Sequence, residues 1–208
     1  MRYECRYIPH ADEGVWERIP SMSLVGTVSG EPPRLSTNVQ AYWDAGALHL
    51  RFDCEDDHVV ATMANRDDPL YEEDVVEIFI DERGTGRRYL EFEVSPRNVL
   101  FDAAVTRDDD GSISVDTAWN VDALQTRVQE GIGRMTYRVS IPFDAFEHRP
   151  EIGAVWRWNL YRIDSDPDGE RHYWAWSPTG RINFHLPGKF GELAFTDGTQ
   201  DKIGDESG

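Results

Sequence analysis

The sequence predicts an all-β fold, an antiparallel β-sandwich of jelly-roll-like form with about ten or more short strands and minimal helix. Three observations predict it. Apolar and polar residues alternate with period two through several segments after Thr37. Clusters of Gly, Pro, Asp and Asn punctuate those segments at short intervals. Apolar spacing at the helical period is almost absent.

Along the chain, residues 1–36 read as an irregular segment punctuated by Pro20, Pro32 and Pro33. In ALHLRFDC, Leu48, Leu50, Phe52 and Cys54 alternate with Ala47, His49, Arg51 and Asp53. In DVVEIFID, Val76, Ile78 and Ile80 share one face, and Val75, Glu77 and Phe79 the other. In RYLEFEVS, Leu90, Phe92 and Val94 oppose Tyr89, Glu91 and Glu93. GRMTYRVSI repeats the pattern with Met135, Tyr137, Val139 and Ile141. Such alternation is that of half-buried antiparallel strands. The Gly-containing stretch Glu82 to Arg87 reads as a hairpin connection. Further strands are expected near 98–105, 121–129, 155–163, 171–177 and 190–195, with one helical turn after Pro142. Residues 1–196 are expected to form one domain, and the polar, Gly-rich 197–208 a disordered acidic tail.

The chain is long enough, at 208 residues, to bury a substantial core. Its 39 acidic against 21 basic residues give a net charge of −18. That balance repels a phosphate backbone and an anionic membrane surface, so neither nucleic acid nor membrane is expected as a partner. No apolar run matches a signal peptide or a membrane span, and a cytoplasmic location is the default expectation. The two cysteines, Cys5 and Cys54, make neither a disulfide framework nor a zinc site.

The alternation places Glu77, Glu91 and Glu93 on one sheet surface if their strands pair, with Phe79 and Tyr89 beside them. Like charges at cross-strand distance destabilise a sheet. Solvent, an arginine such as Arg51 or Arg97, a metal or a hydroxyl-rich ligand must offset them. Sugars fit that last role, because carboxylates and arginines bond vicinal hydroxyls and aromatic faces stack on the ring. A solvated face that serves only solubility is the competing reading. Trp174 and Trp176, two apart, share a face of their strand and make either a stacking platform or core. The Pro- and Gly-rich loop that follows places Trp176 near a rim, and His172 and His185 within reach of it.

Asp164, Asp166, Asp168 and Gly169 spell the first half of a calcium loop, but Ala175 stands where the bidentate Glu belongs and Pro167 stiffens the turn. An acidic surface turn is the favoured reading of D-x-D-x-D-G, with calcium kept as the alternative. Glu91 and Glu93 lie about 6.6 Å apart along a strand, inside the inverting-glycosidase range. Adjacent same-face carboxylates, however, cannot flank a substrate. No nucleophile elbow, P-loop or dinucleotide fingerprint is present.

The run LYEEDVVEIFID, then RYLEFEVSP, then WSPTG with NFHLP and FGEL, resembles the family 9 carbohydrate-binding modules over about residues 37–195. The resemblance implies a β-sandwich that holds a sugar between two facing aromatics. One would be Tyr71 and the other Trp176, or else Trp174. It also implies Glu77 as a hydroxyl-binding carboxylate, with Arg97 and Asn98 near the polar contacts, and an association with calcium. Position 71 departs from the Trp of the xylan- and cellulose-binding members, and Tyr offers less stacking area. The expected function is non-catalytic saccharide binding through Tyr71, Glu77, Glu91, Glu93, Arg97, Trp174, Trp176 and His185. A glycan hydrolase using Glu77 with a partner carboxylate, or an acidic protein-interaction domain, are the alternatives.

Overall fold

The structure is a computed structural model that describes residues 1–198; the expected disordered tail lies, from residue 199 on, outside the described residues. Fourteen strands form one hydrogen-bonded, mixed but mostly antiparallel array. They are β1 (Arg2–Tyr7), β2 (Ser21–Ser23), β3 (Val25–Gly26), β4 (Thr37–Trp43), β5 (Ala47–Glu55), β6 (Val75–Asp81) and β7 (Arg88–Val94). The remainder are β8 (Leu100–Arg107), β9 (Ile113–Asp116), β10 (Gln125–Gly131), β11 (Arg134–Pro142), β12 (Val155–Ser165), β13 (Arg171–Ala175) and β14 (Gly191–Thr196). Among the described residues, helix is confined to one turn at Val15–Arg18 and three 3-10 turns, one of them after Pro142. Among the described residues no helix is long and apolar enough to cross a membrane.

The strand order is β10-β11-β5-β4-β1-β14-β12-β6-β7-β8-β9. The array curls so that its two halves enclose one core. Leu48, Leu50, Phe52, Val139 and Ile141 from one half share that core with Val76, Ile78, Leu90, Phe92 and Trp158 from the other. Burial of a continuous apolar layer between sheet faces is what the period-two alternation provides.

The N-terminal segment is not irregular. Strand β1 lies parallel to both β14 and β4 and joins the two halves. Tyr3 and Cys5 alternate inward, and the Tyr3 hydroxyl donates to the Ala41 carbonyl at 2.8 Å. The signal is short, and its outward residues are the charged Arg2, Glu4 and Arg6. Its stability comes from strands far along the chain. Cys5 and Cys54 are separate buried thiols.

The β6–β7 hairpin turns through Glu82–Arg87 as its sequence suggests. The Asp81 carboxylate caps it, accepting the backbone N–H of Arg83, Gly84 and Gly86 at 3.0, 2.8 and 2.6 Å. Gly84 and Gly86 both take positive φ, which the tight turn requires.

Candidate functional site

Register assembles the site. On β6 and β7, Glu77 pairs with Glu93 and Phe79 with Glu91. On the other flank of β6, Tyr161 of β12 pairs with Glu77, and Ile163 with Val75. Beyond β12, Tyr173 of β13 pairs with Ile163, and Ala175 with Tyr161. Beyond β7, Phe101 of β8 pairs with Glu93, and Ala103 with Glu91. Directly paired residues project to the same face. This outer face therefore carries Tyr173, Ile163, Tyr161, Glu77, Phe79, Glu91, Glu93 and Phe101.

Two loops cover the face and leave a cavity of 720 Å³ between them. The first carries Tyr71 on the 3-10 turn Leu70–Glu72. Leu70 anchors the turn in the secondary core, and Tyr71 stays 49% exposed. Acidic residues hold this loop down. Asp74 accepts the backbone N–H of Val60 at 2.6 Å and of Ser165 at 2.8 Å, and Glu73 accepts that of Thr62 at 2.6 Å. The second loop carries Ile182 to His185. Asn159 holds its start through paired bonds to Ser177 at 2.8 Å, and the Tyr161 hydroxyl donates to the Phe184 carbonyl at 3.1 Å. Phe184 stacks on Tyr161 with ring centroids 4.0 Å apart. His185 Nδ1 lies 2.9 Å from the Tyr89 hydroxyl, and burial lowers its pKa, favouring the neutral imidazole.

Glu77 and Glu91 line the cavity floor and Glu93 lies behind them. The three are 1%, 4% and 0% exposed, and one oxygen from each falls within 4.8 Å of the others. Glu77 Oε1 and both Glu93 oxygens have no hydrogen-bond partner. The Glu91 carboxyl and the Tyr71 backbone N–H are the groups nearest to bonding Glu93, but neither meets hydrogen-bond geometry. Burial raises all three pKa values. Glu91 is pushed up to about 7, and the neighbouring carboxylates drive Glu77 and Glu93 further in the same direction. The cation nearest this group is Arg171, which favours ionised Glu77 from β13. Its guanidinium lies 5.3 Å from the centre of the Tyr173 ring, and Nη2 donates to the Tyr71 carbonyl. Asp67 stands at the mouth in a left-handed conformation, φ 64°; its Oδ1 makes no hydrogen bond and lies 3.9 Å from Arg66 Nε.

Of the residues singled out from sequence, Tyr71, Glu77, Glu91 and His185 line this cavity, with Glu93 behind it. Arg97 does not; it is exposed on the β7–β8 turn and donates to the Thr62 carbonyl at 3.0 Å. Arg51 is paired with Asp53 at 3.0 Å on β5. Trp174 and Trp176 are not a platform. Both are 3% exposed and belong to the main core. The β12–β13 register sends Arg171, Tyr173 and Ala175 to the cavity face and the two tryptophans to the opposite one. Trp176 lies so close to Gly191 that a Cβ there would fall 2.3 Å from its ring. Sequence reasoning missed Arg171, Tyr173, Phe101 and Asp67, although Tyr173 and Arg171 share the parity that the tryptophans lack.

The D-x-D-x-D-G segment does not fit a calcium loop. Asp164 is wholly buried on β12; its oxygens bond the guanidinium groups of Arg162 and, at 3.1 Å, Arg34. Arg162 is itself buried, bonded to Asp56 at 3.0 Å and lying 5.0 Å from the centre of the Trp174 ring. Asp166 caps the hairpin turn, accepting the backbone N–H of Asp168 and Glu170 at 2.9 Å each, with His172 Nε2 at 3.1 Å. Asp168 points to solvent. The three oxygens do not converge, as a hard cation requires.

Solved β-sandwich structures share the fold. A Bacteroides uniformis protein provisionally described as carbohydrate-binding superposes with a TM-score of 0.76 at 20% identity, covering 93% of this chain and 98% of that one. A family 9 carbohydrate-binding module from Caldicellulosiruptor kristjanssonii in complex with glucose gives a TM-score of 0.71 at 16% identity, over 99% and 100% of the two chains. Its cellotriose complex gives 0.67 at 14% identity, with both chains fully covered. The Carbohydrate family 9 binding domain-like model matches residues 10–198, and the chain belongs to that family. A fungal relative, an extracellular protein of Arthroderma benhamiae, is 26% identical over 187 residues, spanning 81% of this chain and 82% of the relative.

Proposed function

We propose that the chain binds a saccharide non-catalytically in the cavity over β6 and β7. Tyr71 and Tyr173 pack on the sugar ring, and Glu77 and Glu91 take its hydroxyls. The observation that carries this reading is the half-exposed Tyr71 standing over a cleft whose floor is carboxylate and whose walls are Phe79, Phe101, Tyr173 and Phe184. An aromatic left half in water gains by covering its face with the C–H surface of a pyranose. The buried carboxylates supply acceptors for hydroxyls. Membership of the family and the glucose and cellotriose complexes of the Caldicellulosiruptor module support the same reading. Titration calorimetry against a panel of mono-, oligo- and polysaccharides tests it. Binding that is lost in Tyr71→Ala with the melting temperature unchanged is expected. Silence across the panel at millimolar sugar overturns it.

A further inference from the structure

The cleft floor gathers more carboxyl groups than a neutral sugar needs. Asp67, Glu77 and Glu91 line the cavity and Glu93 adjoins them; among the lining residues Arg171 is the only arginine or lysine. Arg171 is already committed to the Tyr71 carbonyl and lies against the Tyr173 ring. The other titratable groups facing the three glutamates are Tyr161, Tyr89 and the neutral His185. Buried carboxylates ordinarily have a cation or a set of donors against them. Here Glu77 Oε1 and both Glu93 oxygens are buried and make no hydrogen bond of good geometry, Glu93 having only the Glu91 carboxyl and the Tyr71 N–H close by.

The closeness of the three allows one small cationic donor to reach them all. A primary ammonium offers three N–H donors and no acceptor. With N···O distances of about 2.8 Å in a tetrahedral arrangement, its acceptors stand about 4.6 Å apart. The three glutamate oxygens lie within 4.8 Å of one another. A hard divalent cation asks for about six to eight oxygens. The trio supplies three, and Phe79, Phe101, Tyr161 and Val75 surround it on that face. Above it, the apolar walls and Tyr71 suit a ring.

We infer that the ligand is an amino sugar, whose primary ammonium seats against Glu77, Glu91 and Glu93 while its ring lies between Tyr71 and Tyr173. This rests on the saccharide reading above and names its substrate class. At neutral pH the trio retains protons, so seating an ammonium displaces them to the buffer.

The experiment is calorimetry of the full chain at pH 7 with glucose, N-acetylglucosamine, glucosamine, galactosamine, 6-amino-6-deoxyglucose and chitosan oligomers. Each is measured in two buffers of different ionisation enthalpy, with and without added calcium. At least one free amine is expected to bind about 10-fold or more tighter than glucose, with measurable proton release, and N-acetylation is expected to remove the gain. Glu77→Gln is expected to shrink the amine preference. If neutral sugars bind and no amine is preferred, the inference fails and the saccharide reading stands. If neutral sugars tighten only with calcium, a divalent cation is the occupant and the inference fails. If no sugar binds, both fail. The ranking is read on the unsubstituted protein, so a poorly folding variant does not blunt it.

Discussion

Glu77 and Glu93 stand directly opposite each other across β6 and β7, both buried, with Glu91 one position along on the same face. Placing like charges in cross-strand register is costly unless protons or a ligand neutralise them. The pH dependence follows from the direction of the shifts. A carboxylate whose folded pKa is raised binds more protons folded than unfolded, so its contribution to stability falls as pH rises. For Glu91 the loss runs from its ordinary value of 4.5 up to about 7; Glu77 and Glu93 extend the window upward. Glu91→Gln is therefore expected to melt higher than the unsubstituted protein at pH 8, by about 3 °C or more. The difference should vanish toward pH 5. Thermal melts of the two proteins from pH 5 to 8 check this, and a difference independent of pH would contradict the assignment.

The two aromatic positions that the family resemblance joins behave oppositely here. Tyr71 is half exposed at the cleft mouth and Trp176 is core. Tyr71→Ala should leave the melting temperature within about 2 °C, since exposed substitutions shift stability by about 0.5 kcal/mol or less. It should weaken saccharide binding about 10-fold or more. Trp176→Ala should cost about 3–5 kcal/mol, the usual range for emptying a buried aromatic site. Paired melts and titrations separate the two effects; a Trp176→Ala protein that melts normally but has lost binding would return the indole to the site.

Much of this was legible in sequence because β6 and β7 obey a single rule. Val76, Ile78, Leu90 and Phe92 alternate with Glu77, Phe79 and Glu91, so core face and cleft face separate without any knowledge of partners. The site's other wall was not legible. Whether Trp174 and Trp176 or Arg171 and Tyr173 meet Glu77 depends on the register of β13 against β12, which apolar alternation alone does not set when both faces are aromatic. The roles of Glu73, Asp74 and Asn159 are likewise long-range, because each bonds backbone brought near only by the fold. Strand β1 was hidden because its partners, β4 and β14, lie far from it in sequence. Asp164 looked like a metal ligand because the D-x-D-x-D-G spacing does not show that burial turns it to Arg162, two residues back on β12, or that Arg34 reaches it from a distant loop.

That ion-pair network yields a prediction of its own. Asp164→Asn would leave Arg162 buried with only Asp56 as a carboxylate partner. Breaking a buried pair from one side costs about 3–5 kcal/mol, so a fall in melting temperature of about 6 °C or more is expected. Asp168→Ala, on the solvent side of the same acidic run, should melt as the unsubstituted protein does, and its response to calcium and to chelator should be unchanged. A calcium-induced rise in melting temperature that disappears in Asp168→Ala would restore the D-x-D-x-D-G segment as a cation site.

Gly191 offers the sharpest check on the placement of the buried indole. It opens β14 beside Trp176, and a Cβ at this position would lie 2.3 and 2.7 Å from two ring carbons and 3.0 Å from the Met1 carbonyl oxygen. Neither neighbour yields easily, because Trp176 is wedged edge-on against Trp158, with centroids 5.8 Å apart, and the Met1 carbonyl accepts the Glu192 N–H at 2.9 Å. Overpacking a filled core by one methyl group costs about 1–3 kcal/mol. Gly191→Ala should therefore lower the melting temperature by about 2 °C or more and shift the buried-tryptophan fluorescence, while the cleft residues Tyr71 and Tyr173 stay in place and sugar affinity holds. If instead the substitution abolishes binding at unchanged stability, Trp176 lies against the ligand rather than in the core.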